Sequence, residues 1–217
     1  MGLLEVTTGG MGTGKTAYLI VEYNNLVRNN LKVLTIKPKM DTRDYGIISS
    51  RILPNSDIKV DLLLGETDEV PVKEILLENY DVILVDEMQM FTEKQIKQLH
   101  YISVISETYV YMYGLMMSCT GEPFPSAMLA NALADSRRTL RSINKYKDNR
   151  NYAIKYSDGA PVNINTTSLI EAGGDSLYSA VSKREFFSIY SKYIENQLLT
   201  ENDSTSPNSV PTRNVKE

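Results

Sequence analysis

Apolar positions in this chain follow two rhythms, and the rhythms alternate. Residues 3–6, 32–36, 81–85 and 108–113 form short runs rich in Leu, Val, Ile and Tyr, with the length and composition of β-strands. Between them apolar residues recur every three or four positions, which marks one face of a helix. From Thr16 to Arg28 that face carries Leu19, Ile20, Tyr23, Leu26 and Val27. Thr92 suits a helix N-cap, and the segment it opens, to about Ser106, turns Ile96, Leu99 and Ile102 inward. The Ala- and Leu-rich stretch from Ser126 to about Arg138 predicts a further helix. Strands alternating with helices predict a largely parallel α/β sheet. The run 82–85, apolar throughout, predicts a strand buried on both faces.

Two stretches break the pattern. Residues 41–57 are polar, contain Gly46 and Pro54, and predict a loop able to move. Past Arg141 the periodicity fades. Residues 144–159 are polar with charges of both signs, and 163–178 read as a loop containing Gly173-Gly174. Residues 182–199 predict a closing helix with Phe186, Ile189, Tyr190 and Tyr193 on one packing stripe. Residues 200–217 have almost no apolar content and are expected to be disordered. The expected division is a domain over 1–141, a segment with a closing helix over 142–199, and a tail over 200–217.

The strand at 3–6 runs into Gly9-Gly10-Met11-Gly12-Thr13-Gly14-Lys15-Thr16, which has the form G-x-x-x-x-G-K-[ST]. Glycines there let backbone N–H groups turn inward around a polyphosphate. Lys15 can reach the β- and γ-phosphates, and Thr16 can offer its hydroxyl to Mg²⁺. The helix that follows adds the positive end of its dipole. Strand, glycine loop and helix are the setting this motif requires, so the chain is expected to bind ATP through Gly9, Gly10, Met11, Gly12, Thr13, Gly14, Lys15 and Thr16 as a P-loop NTPase domain.

The second half of such a site is Val82-Ile83-Leu84-Val85-Asp86-Glu87. A buried strand would deliver Asp86 at its carboxyl end, where ligands bind in open α/β sheets. Asp86 would hold Mg²⁺ directly or through water. Glu87, pointing away by strand alternation, is free to act on a substrate hydroxyl or on water. The motifs therefore allow a kinase or an ATPase.

Composition narrows the class only by exclusion. Net charge is −4 with a pI near 5.2, which gives no support for a nucleic-acid surface. A single cysteine, Cys119, excludes an internal disulfide and a cysteine-rich metal site and fits a reducing cytosol. No apolar run reaches membrane-spanning length and the first residues lack a basic leader, so a cytoplasmic protein without membrane partners is expected.

Several downstream segments resemble the type II thymidine kinases. The family's DTRY-like segment matches Asp41-Thr42-Arg43, with Tyr45 displaced by one. Its DE-x-Q-F-F segment appears as Asp86-Glu87-Met88-Gln89-Met90-Phe91. Its YGL and GEPFP segments match 113–115 and 121–125, and its LAD matches Leu133-Ala134-Asp135. The GG…Y segment of its substrate-covering lasso is similar to Gly173-Gly174-Asp175-Ser176-Leu177-Tyr178. The resemblance spans residues 9 to 178. It implies ATP-dependent 5′-phosphorylation of thymidine or a related deoxynucleoside, with Glu87 as general base and Lys15 and Arg43 stabilising the transferred phosphoryl. It further implies Thr16, Asp86 and Asp41 near Mg²⁺, and Met11, Gln89, Met90, Leu115, Phe124, Gly173, Gly174 and Tyr178 around the nucleoside. A homotetramer is also implied.

Two departures stand out. The family commonly carries four zinc ligands in two pairs. Residues 143–147 hold no cysteine, and the second pair falls near Ser182 and Glu185, so no zinc is expected and a more mobile lasso is. Where the bacterial family reads near RTDF, this chain has Met116-Met117-Ser118-Cys119, placing a thiol at the position of an aromatic. Two rival readings stay open: a P-loop ATPase acting on a partner, and a degenerate nucleotide-binding regulator.

Overall fold

A computed structural model describes residues 1–42, 44–143, 148–168 and 177–200, the side chains of 192 and 196–200 excepted. In chain order the elements are β1 (Leu4–Thr8), α1 (Lys15–Arg28), β2 (Val33–Pro38), β3 (Ile47–Ile48), β4 (Ile58–Lys59), β5 (Leu62–Leu64), α2 (Val72–Glu78) and β6 (Val82–Val85). A 3-10 turn (Met88–Met90) leads to α3 (Glu93–Ile105), β7 (Tyr109–Gly114), α4 (Pro125–Leu133) and β8 (Ser136–Thr139). The remainder is β9 (Tyr152–Ser157), β10 (Ala160–Pro161), β11 (Tyr178–Val181) and α5 (Lys183–Thr200).

Six strands form one parallel sheet in the order β5-β2-β6-β7-β1-β8. Alternation along the buried strands feeds two cores. On one face Ile83, Val85, Val110 and Met112 meet Ile96, Leu99 and Ile102 of α3 and Ala127 and Ala130 of α4. On the other, Val82, Leu84 and Tyr113 meet Leu19, Ile20 and Leu26 of α1. This is the α/β sheet that the pattern predicts, and β6 is buried at all four positions.

α3 begins as expected. Thr92 Oγ1 accepts from Gln95 N (3.2 Å) and Gln95 Oε1 accepts from Thr92 N (2.9 Å), a reciprocal capping box. α4 ends earlier than the predicted Arg138. Ala134 takes an extended conformation, Asp135 Oδ2 accepts from Leu4 N at 2.8 Å, and 136–139 pair with β1 as an edge strand. Helix propensity there loses to an unfilled sheet edge.

The stretch expected to lack periodicity holds β9, the centre of a second, antiparallel sheet in the order β10-β9-β11. Its core is Ile154, Ile164, Val181, Phe186 and Tyr190. The predicted α5 stripe splits: Phe186 and Tyr190 are each 1% exposed, whereas Ile189 and Tyr193 are exposed. Within the stretch expected to be a loop, β3 pairs with β4 and Ile48 is buried against the α1 face. The tail past 200 lies outside the described residues.

Candidate active site

Because every strand of the large sheet points the same way, the carboxyl ends of β1, β2, β6 and β7 open on one edge. The glycine loop follows β1. It closes on Gly14, whose φ of 85° is a left-handed conformation that glycine tolerates. No side chain caps α1 there, so its first N–H groups face the loop, the arrangement that attracts an anion. Lys15 Nζ donates to Gly10 O at 2.9 Å, and Thr13 Oγ1 donates to the same oxygen at 2.9 Å. Gly10 also meets the segment that leads into β9. A Cβ at Gly10 would lie 1.9 Å from the carbonyl oxygen of Arg150, so only glycine allows this approach. Arg150 Nε in turn donates to Ala180 O of β11 at 3.1 Å.

At the end of β2 the chain turns, with Asp41 N donating to Pro38 O at 3.1 Å. Asp41, 4% exposed, pairs with Lys37 at 3.1 Å. Lys37 is itself buried and also donates to Asp44 O at 3.1 Å and Ile47 O at 2.9 Å.

Asp86 follows β6. β7 stands between β6 and β1, so Asp86 shares the sheet edge with the glycine loop but is not on a neighbouring strand. Its carboxyl is 4% exposed, and its proton affinity is pushed up to about 7 by burial first and by the neighbouring Glu87 charge second, with Lys37 opposing. A desolvated carboxylate of this kind suits a hard cation. Among the described residues no three His, Cys, Asp or Glu side chains converge on one point. Thr16, Asp86 and Asp41 carry oxygen donors of the kind that Mg²⁺ takes.

Glu87 is not directed by strand alternation, contrary to the sequence expectation. β6 ends at Val85, and Glu87 has φ 53° and ψ 47°, a left-handed conformation uncommon for a residue with a Cβ. That turn starts the 3-10 segment, and the carboxylate is fixed from within it: Gln89 Nε2 donates to Glu87 Oε2 at 2.5 Å. Gln89 Oε1 accepts from Leu115 N at 2.9 Å and its carbonyl accepts from Ser126 Oγ at 3.1 Å. Gly114 leaves the space this needs, because a Cβ there would fall 2.4 Å from Gln89 Oε1. Gln89, expected to touch the nucleoside, is 2% exposed, with its amide bonded to Glu87 and Leu115.

Of the remaining expected residues, Met11 and Met90 are half-buried. Phe124 is buried in the main core with Leu115 partly buried against it. Tyr178 opens β11, half-buried, and pairs with Lys155. Arg43, Gly173 and Gly174 lie outside the described residues. Cys119 is buried and close enough to α5 to act on the Tyr190 hydroxyl, which burial chiefly pushes up to about 12. Ser182 and Glu185 form a second capping box, with Glu185 Oε2 accepting from Ser182 N and Oγ, both at 2.8 Å.

Sequence reasoning missed Lys37, Arg150 and the bond from Gln89 to Glu87. Lys37 alone left a signal, a cation inside an otherwise buried strand.

The family model described as thymidine kinase matches residues 2–186 of this chain. The thymidine kinase of Ureaplasma urealyticum serovar 10 is 30% identical over 191 residues, covering 84% of this chain and 82% of that protein. The thymidine kinase of Encephalitozoon cuniculi is 28% identical over 182 residues, covering 83% and 84% respectively. Among solved structures, the flagellar accessory protein FlaH from Methanocaldococcus jannaschii aligns with 64% of this chain and 70% of its own at 12% identity and a TM-score of 0.37, a likeness too slight to inform the fold.

Proposed function

The chain belongs to the thymidine kinase family, and from that premise we propose that it transfers the γ-phosphoryl of ATP to the 5′-hydroxyl of thymidine or a related deoxynucleoside. The observation that carries this reading is the pair at the end of β6. Asp86 is buried with a raised proton affinity, while Glu87, half-buried, is turned out of the strand and held by Gln89. Two adjacent carboxylates thus have separate environments and can serve separate tasks.

In this reading the loop from Gly9 to Thr16 cradles the ATP phosphates. Lys15 exchanges the Gly10 carbonyl for phosphate oxygen as ATP enters. Thr16, Asp86 and Asp41 would hold Mg²⁺, which supplies neutralisation of phosphate charge when bound. Glu87 accepts the proton of the 5′-hydroxyl, and Gln89 keeps its carboxylate in one orientation. Arg43 and Lys15 stabilise charge spread over the transferred phosphoryl. Met11, Met90, Leu115 and Phe124 give the nucleoside an apolar wall, and Tyr178 with the Gly173-Gly174 segment covers the base. Residues 1–141 act as the nucleotide-binding platform and 142–199 as its cover.

Incubating the protein with Mg·ATP and a panel of nucleosides, scored for nucleoside monophosphate against free phosphate, tests the reading. Thymidine monophosphate is expected as the main product. Nucleoside-independent release of phosphate would replace the kinase with an ATPase. Neither product, with ATP still bound, would favour a regulator.

A further inference from the structure

Lys37 lies at the end of β2, before the loop that carries Asp41, and among the described residues it is one of the most buried charges. It is 2% exposed, and its ion-pair partner Asp41 is 4% exposed. An ammonium has three protons, and here they meet three acceptors: Asp41 Oδ2 at 3.1 Å, Asp44 O at 3.1 Å and Ile47 O at 2.9 Å. All three acceptors belong to the segment that follows β2. The turn closed by Asp41 N on Pro38 O folds that segment back over the lysine, and Ile47 N donates to Asp44 O at 3.0 Å. Asp41, through its carboxylate, and Asp44, through its carbonyl, are therefore tied to one buried cation.

A hydrophobic strand end would bury better with Leu or Val at this position. A desolvated lysine is tolerated only where its charge is fully paired, and a charge spent on two main-chain carbonyls and one carboxylate specifies a loop shape more than it adds stability. We propose that Lys37 is a positioning residue for phosphoryl transfer: by gathering Asp41, Asp44 and Ile47 it sets the course of the chain after β2 and thereby aims Asp41 at the nucleotide phosphates. The proposal rests on the kinase reading for what Asp41 does, but not for the geometry that Lys37 imposes.

Three variants, Lys37→Met, Asp41→Asn and the charge-neutral pair of both, separate positioning from support. In the ligand-free protein, amide exchange over 41–48 is expected to rise at least tenfold in Lys37→Met, with β6 and β7 unchanged. ADP affinity without Mg²⁺ is expected to stay within threefold of wild type, while the gain on adding Mg²⁺ shrinks at least tenfold. With Mg·ATP and thymidine, kcat is expected to fall at least a hundredfold with the thymidine KM within threefold. The pair is expected to turn over no more slowly than Asp41→Asn alone, since both changes act through one group.

Unchanged exchange over 41–48, or a pair whose kcat loss is the product of the two single losses, would overturn the proposal. If Lys37→Met alone does not fold, the comparison of the pair with Asp41→Asn decides. If the wild-type protein phosphorylates no nucleoside, the kinase reading fails by itself, and the exchange and ADP titrations still decide the role of Lys37.

Discussion

The two sheets of this protein are held together on different scales. In the parallel sheet, β6 and β7 supply apolar residues to both faces, and helices on each side fill two cores. In the antiparallel sheet, five buried residues make the core among the described residues, and a chain of rings packs with them. Tyr152, Phe186 and Tyr190 follow one another at centroid separations of 4.9 and 5.0 Å, with Tyr193 a further 6.2 Å on. The first sheet fixes the carboxylates and the glycine loop redundantly. The second touches that platform through Gly10 against Arg150 and Gly121 against the Phe186 ring, and it depends on few residues. In the proposed kinase, a platform packed on both faces under a more lightly held cover would admit a nucleoside and then exclude water.

The sharpest way to break this comparison is to damage the chemistry without the scaffold. Glu87→Gln keeps an oxygen to accept from Gln89 but cannot take a proton, so kcat should fall by about two to four orders of magnitude. ADP affinity, carried by the glycine loop, should hardly move. Equal losses in a titration and a turnover assay would remove Glu87 as the base.

Phe186→Ala attacks the cover. Truncating a buried phenylalanine costs about 3–5 kcal/mol, and the loss should appear as faster amide exchange in 152–181 and a raised thymidine KM, with β6 and β7 still protected. Exchange rising equally in both sheets would show that they unfold as one unit and that the contrast between them is false.

Asp86 gives the platform a pH signature. Its folded-state proton affinity lies above the unfolded value because burial disfavours the charged form. Its carboxyl therefore favours the ligand-free fold most when protonated, below about pH 4. That contribution is lost as pH rises toward the folded value of about 7. Melting scans of ligand-free protein should show the advantage of Asp86→Asn over wild type growing between pH 5 and pH 8. A constant difference would mean that Asp86 is better solvated than its burial suggests.

The smallest effect is expected at Ser182. Replacing this N-cap by Ala should cost about 1 kcal/mol, confined to α5 and the second sheet, and differential melting with exchange on α5 would register it. The two positions where the family resemblance placed a metal pair instead satisfy helix N–H and hydroxyl groups through Glu185.

Legibility in the sequence follows the same division. β6, α1 and α3 were readable because a buried strand and an amphipathic helix repeat over enough residues to reveal their period, and Thr92 and Gln95 cap α3 locally. β9 was not readable. Tyr152, Ile154 and Tyr156 do alternate, but beside Lys155, Asp158 and flanking polar residues the run is too short to separate from a loop. β8 was lost to the helix because Ala and Leu before it favour helix, whereas the pairing of 136–139 with β1 is decided by residues more than a hundred positions away. Of the candidate site, the glycine loop and Asp86-Glu87 were visible, since phosphate binding requires a contiguous motif.

The sequence by itself determined that a parallel α/β sheet carries a phosphate loop and a strand-end acidic pair, because each of these is encoded in a short contiguous stretch. Only the tertiary structure decided how those parts work together. It turned Glu87 out of its strand and gave it Gln89 as a partner, brought Asp41, Asp44 and Ile47 onto Lys37, and brought Gly10 against Arg150. Apart from the turn at Glu87, these are contacts between segments whose spacing in the chain carries no periodic signal, and burial chose their partners only once the sheet had formed.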